Sequence, residues 1–211
     1  MEHEQFILLE KYKVLKPVIG ERLEVFKEVG KKSEKELFVE LCFCLCTPQS
    51  KAYACDKAVK ELQRSGLLFS GNESRIKEVL VSSGVRFHHH KAKYIVGARK
   101  LVQQGLLQGV FLSEDKKARE MLVEQVKGLG YKEATHFLRN IGRAEELAIL
   151  DRHILKNLKK YKAVRIIPKT LTKKKYLMIE KKMKGFAQEV KMPLQHLDLL
   201  FWAEETGKVF K

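Results

Sequence analysis

The chemistry in this sequence concentrates in Lys127-Gly128-Leu129-Gly130-Tyr131-Lys132 and in Asp151, nineteen positions after that lysine. Two glycines two residues apart allow a sharp backbone turn. A helix that starts after such a turn presents free N–H groups and the positive end of its dipole, which together hold a phosphate without reading any base. An ordinary helix–helix turn has the same pattern, so the glycines alone do not decide the matter. Lys132 would stand in the first turn of that second helix, where the dipole field favours a neutral amine over an ammonium. A neutral amine is a nucleophile for an electrophilic carbon, although most lysines are solvated surface charges. Asp151 reads first as a helix cap. The same carboxylate can also face a cationic transition state, because the cap fixes the side chain.

The elements that would position these groups follow from apolar spacing. Phe6, Leu9, Leu15, Ile19, Leu23, Phe26 and Val29 predict a helix over about 5–29, interrupted near Pro17. Ser33 and Glu36 form a capping box for a helix over about 34–46 that is apolar nearly all round, so it lies at the centre of a lobe. Thr47-Pro48-Gln49-Ser50 breaks the chain, and Ser50 is placed to cap a helix over about 51–64. Further helices are predicted over about 73–82, 90–104, 115–126 and 131–141, with Val85 to Lys91 as a basic, histidine-rich connector. A helix of about nine residues follows Asp151, another spans about 172–190, and Pro193 opens the last one. No stretch alternates at period two. The reading is all-α, with about ten helices in one unit of two lobes over 1–211: one lobe from about 35 to 150, the other from about 1–34 together with 151–211.

Lysine and arginine number 42 against 26 acidic residues, a net charge of +16 over 211 residues. That excess points to an anionic partner, nucleic acid first. No run is long and apolar enough for a membrane span, and Met1-Glu2-His3-Glu4-Gln5 is acidic and unlike a secretory signal, so an intracellular protein is expected. Cys42, Cys44, Cys46 and Cys55 read as buried reduced thiols. Their spacing fits no iron–sulfur pattern, so no cluster is expected. His88-His89-His90 reads as a strand-contacting basic loop and not as a metal site, since adjacent side chains diverge.

The block Lys127 to Asn140, followed by Ala148-Ile149-Leu150-Asp151-Arg152-His153-Ile154-Leu155, resembles the helix-hairpin-helix DNA glycosylase superfamily, and within it the archaeal-type 8-oxoguanine DNA glycosylase/AP lyases. The similarity continues through Ile167 to Leu171, Leu197-Asp198-Leu199, Trp202 and the terminal Thr206 to Lys211. The resemblance implies a two-lobed fold with DNA and the active site in the cleft between lobes. It implies excision of 8-oxoguanine from duplex DNA through a Lys132 Schiff base, with Asp151 assisting base departure, then strand cleavage by β-elimination. Lys127, Gly128, Leu129 and Gly130 would bind the DNA backbone, with a structural monovalent cation on the hairpin carbonyls. Neither a catalytic metal nor another cofactor is implied. Trp202, Asp198 and Lys211 would recognise the base, Gln49 would act as the wedge, and Arg86 and Phe87 would face the orphaned base. Gln49 departs from the Thr-Ala-Asn type of sequence of close relatives, and this leaves open a glycosylase for another oxidised or mispaired base. A non-catalytic helix-hairpin-helix DNA-binding module is the other alternative. The expected partner is double-stranded DNA with a damaged base, bound by a monomer.

Overall fold

The computed structural model describes residues 2–210, with side chains from residue 3. All regular structure among these residues is helical, in the order α1 (Glu2–Gly30), α2 (Glu34–Cys46), α3 (Ala52–Arg64), α4 (Leu67–Ser70), α5 (Glu73–Ser82), α6 (His88–Gln103), α7 (Leu106–Leu112), α8 (Asp115–Gln125), α9 (Tyr131–Asn140), α10 (Arg152–Lys160), α11 (Lys173–Glu189) and α12 (Leu194–Thr206). The capping box at Ser33 and Glu36 forms as its spacing predicts. α4 and α7 were not foreseen; they have four and seven residues, too short for a periodic pattern to register.

Three local predictions give way. Pro17 does not interrupt α1, which runs unbroken from Glu2 to Gly30. Pro17 and Lys13 both lie on the exposed face, so the carbonyl that loses its partner at residue 13 can bond to water. The histidine run is not a connector but the first turn of α6. The chain reverses one residue earlier, at Phe87, which takes a left-handed φ of 58°. Ser50 does not cap α3, whose N-cap is Lys51 without a side-chain bond; its hydroxyl is engaged across the fold.

Apolar side chains gather into two cores. One is built by α2 to α9, from Leu37 to Leu147, around Leu41, Phe43, Leu45 and Phe137. The other is built by α1 and α10 to α12, around Ile19, Met183, Leu200 and Phe201. The chain passes from the first core to the second between Leu147 and Ala148, three residues before Asp151. Buried polar links join them. Asn140 Nδ2 donates to Glu40 Oε1 at 2.6 Å, Asn140 Oδ1 accepts from Arg139 Nε at 3.1 Å, and Arg139 Nη1 pairs with the Asp198 carboxylate on α12. A buried charge costs free energy unless it is paired, so these bonds hold α2, α9 and α12 in one mutual arrangement.

Candidate active site

α8 and α9 form the hairpin, and the turn between them is tight because Gly128 adopts φ 98°. A Cβ at Gly128 would lie 2.2 Å from the Tyr94 ring of α6, so the glycine serves close packing as well as the turn. The Gly130 N–H donates to Glu133 Oε2 at 3.2 Å, which is half of a capping box, since glycine has no side chain to complete it. Glu133 also faces Lys132, with Nζ to Oε1 at 3.1 Å. The Lys132 side chain is a quarter exposed, so its amine is held beside a carboxylate yet open to an incoming group.

Asp151 caps α10 as predicted: its Oδ1 accepts the N–H groups of His153 and Ile154, both at 2.8 Å. The extended segment before it is fixed from α11. The Tyr176 hydroxyl donates to the Ala148 carbonyl at 2.6 Å and accepts the Leu150 N–H at 3.2 Å. Glu180 Oε2 accepts the Ala148 N–H at 2.9 Å. Glu180 in turn receives both terminal nitrogens of Arg119 from α8, at 2.6 and 3.1 Å. The Arg119 guanidinium lies 5.0 Å from the Tyr131 ring, next in sequence to Lys132, and 5.9 Å from the Tyr176 ring. One buried cluster thus ties the start of α9, which carries Lys132, to the segment that ends in Asp151.

Gln49 and Phe87 are exposed, and each holds a left-handed backbone, φ 54° and 58°. The Arg86 guanidinium covers the Phe87 ring at 5.4 Å. Trp202 is half-buried and meets the His153 ring edge-on at 5.2 Å, two residues from Asp151. Asp198 departs from the expectation of a base contact: it is 6% exposed, and its carboxylate is taken up by Arg139 in the interior. Burial, opposed by Arg139 and reinforced by the Asp151 carboxylate, pushes its pKa up to about 6. Asp198 therefore bears on the site from behind, through the position of α9 and the charge of Asp151. Lys211 lies outside the described residues. Its neighbour Phe210 packs on the first core, 4.5 Å from the Tyr53 ring and 6.5 Å from that of Phe43, while Val209 packs on the second.

A profile described as 8-oxoguanine DNA glycosylase matches residues 19–192. The chain belongs to this family. It is 40% identical to an 8-oxoguanine DNA glycosylase/AP lyase of Fusobacterium nucleatum, with 100% of this chain and 99% of the relative covered. The 8-oxoguanine glycosylase/lyase of Methanocaldococcus jannaschii, solved in complex with a 15mer DNA containing 8-oxoguanine, superposes with a TM-score of 0.88 at 39% identity, covering 97% of this chain and all of that one. The 8-oxoguanine DNA glycosylase of Thermotoga maritima gives 0.91 at 35% identity over the full length of both chains.

In this member of the family, three supporting residues were missed from sequence: Glu133, Tyr176 and Lys91. Glu133 was within reach, since Gly130 and Glu133 have capping-box spacing with glycine in place of serine or threonine. Tyr176 and Lys91 carry no such signal, because each acts on a segment at least 26 residues away. The four cysteines are buried, and the Cys55 thiol donates to the Cys46 carbonyl at 3.0 Å. Burial pushes the Cys55 thiol up to about 11, so it stays protonated and unreactive near neutral pH. No helix among the described residues is long and apolar enough to cross a membrane.

Proposed function

We propose that this protein is a bifunctional glycosylase/AP lyase that removes 8-oxoguanine from duplex DNA and then cuts the strand. The observation that carries the reading is the pairing of an accessible lysine just past a Gly-x-Gly hairpin with a capped aspartate tied to the same helices. The backbone of Lys127 to Gly130 grips a DNA phosphate and positions without reading sequence. The damaged nucleotide leaves the stack, which costs a few kcal/mol, and its base packs near Trp202. Gln49 enters the vacated space, and Arg86 and Phe87 face the orphaned base. Lys211 distinguishes 8-oxoguanine from guanine; the preceding Phe210 packs on the Tyr53 ring.

The Lys132 amine, once its ammonium has released a proton, attacks the sugar C1′, and the electrons of the glycosidic bond leave with the base. Asp151 stabilises the positive charge that develops on the sugar; its cap occupies Oδ1, which leaves Oδ2 for that task. Loss of the amine proton and opening of the sugar ring yield the Schiff base. Removal of a C2′ proton then expels the 3′ phosphate. No metal or other cofactor enters these steps. The turn carbonyls suit a structural monovalent cation, being neutral oxygen donors, although those of Val126 and Gly130 already accept from Leu129 and Ala134. The protein acts as a monomer inside the cell.

Incubation with 8-oxoguanine duplex and borohydride tests the reading. A covalent adduct is expected, and it should vanish in Lys132→Gln. Absence of an adduct with 8-oxoguanine, thymine-glycol and abasic DNA alike would refute the lyase assignment. An adduct with thymine glycol only would move the substrate to oxidised pyrimidines.

A further inference from the structure

Lys91 is 3% exposed, an unusual place for a lysine. Its ammonium has three N–H donors, and it finds three acceptors: the Cys46 carbonyl at 2.7 Å, the Pro48 carbonyl at 2.8 Å and the Ser50 hydroxyl at 2.8 Å. All three acceptors lie in or beside the turn that carries Gln49. The same Ser50 oxygen accepts the backbone N–H of Arg86 at 3.0 Å. The Lys91 backbone N–H bonds to the Phe87 carbonyl at 3.1 Å. One buried residue therefore holds two separate loops, and each loop contains a non-glycine residue in the left-handed region, Gln49 and Phe87. Such a conformation is strained and persists only where the surroundings enforce it. Neither Gln49 nor Phe87 is held by burial, since both are exposed.

We infer that Lys91 and Ser50 form a positioning node that sets the Gln49 turn and the Arg86–Phe87 loop as one unit, so that both reach the gap left by a flipped base together. The inference rests on the wedge and orphan-base roles proposed above. It explains why a charged side chain is kept inside the protein at all. Burial lowers the Lys91 pKa, and the nearby Lys132 and Arg86 charges add to that effect, partly offset by the Cys46 and Cys55 thiols. Ser50 is the hinge of the arrangement, for its hydroxyl is the only atom bonded to both Lys91 Nζ and Arg86 N–H among the described contacts.

The test compares Lys91→Met and Ser50→Ala with wild type in two single-turnover assays on the full chain: 8-oxoguanine excision from duplex, and borohydride trapping on a single-stranded abasic oligonucleotide, which has no base to flip. Lys91→Met should slow duplex excision by about tenfold or more, since it leaves the turn carbonyls unmet, and Ser50→Ala by about threefold or more. Trapping on the abasic strand should stay within about twofold of wild type, because the node does not touch the reacting atoms. In a Gln49→Ala/Phe87→Ala background, Lys91→Met should add less than about twofold, as expected if it acts through those residues. Duplex excision by both variants at the wild-type rate would overturn the node. So would a Lys91→Met loss that persists in full in the Gln49→Ala/Phe87→Ala background, or equal losses in both assays. Should Lys91→Met lack a cooperative melt, Ser50→Ala, which deletes one oxygen, decides alone. A wild-type protein that fails the trapping assay would count against the proposed function and not against the node.

Discussion

Replacing Tyr176 by phenylalanine removes a single oxygen from the centre of the molecule and leaves the ring in place. The ring is 3% exposed, 5.4 Å from the Tyr131 ring, and covered by Arg119. No cavity of consequence forms, so the cost is one of hydrogen bonding. The hydroxyl serves two backbone groups, the Ala148 carbonyl at 2.6 Å and the Leu150 N–H at 3.2 Å. A buried polar group left unmet costs about 1–3 kcal/mol. The Leu150 bond is long and sits at the low end of that range, so a total of about 3 kcal/mol is expected. For a chain of this size, about 2–4 °C of melting temperature is lost per kcal/mol, so Tm should fall by roughly 6–12 °C. The freed segment ends in Asp151, which retains its cap on His153 and Ile154 and so moves by a fraction of an ångström. Misplacement by about 1 Å can cost a hundredfold in rate, and the smaller shift expected here about tenfold. The assay pairs a thermal melt followed by circular dichroism with single-turnover excision at a temperature where both proteins are folded. DNA affinity, which the proposed hairpin contact would set, should not change. A Tm within about 2 °C of wild type would refute the reasoning, as would a drop in affinity that matches the drop in rate.

Three further outcomes follow from the same geometry. Asp151→Asn keeps the cap, since Asn and Asp cap helices about equally well; its Tm should match wild type while excision is lost, and a parallel loss of both would show that Asp151 is only structural. Gly128→Ala drives a methyl group into the Tyr94 ring at a φ that disfavours side chains; it should destabilise the protein by about 1–3 kcal/mol and weaken DNA binding in an anisotropy titration, and wild-type affinity would remove the hairpin from the interface. The Asp198 pKa is raised on folding, so its stabilising contribution is complete below the unfolded value of 3.8 and is lost as pH rises through about 6. Denaturant melts should therefore show wild type losing stability relative to Asp198→Asn between pH 4 and 7, and a difference that is flat over that interval would contradict the shift.

The sequence by itself determined what depends on neighbours a few residues apart. The Ser33–Glu36 box, the Asp151 cap and the start of α12 after Pro193 form as their spacing predicts, because each is settled within one helical turn. The Lys127 to Lys132 turn was legible for the same reason, as was the all-helical class, since amphipathic spacing is a local property. Tertiary structure decided where one polar group met another far along the chain. Ser50 looked like a cap because capping is the nearest use for its hydroxyl, yet Lys91 lies 41 residues away and its Nζ reaches that hydroxyl at 2.8 Å. Asp198 looked like a pocket residue until Arg139, 59 residues earlier, was seen to take its carboxylate inside. Pro17 stayed helical because it faces outward, which periodicity weighed less than the missing N–H. Tyr176 gave no signal, for nothing in a helix's own spacing reveals that one of its hydroxyls will hold the backbone leading to Asp151. Local spacing thus named the reactive groups. The buried partners that hold those groups in register come from distant parts of the chain, and only packing brings them together.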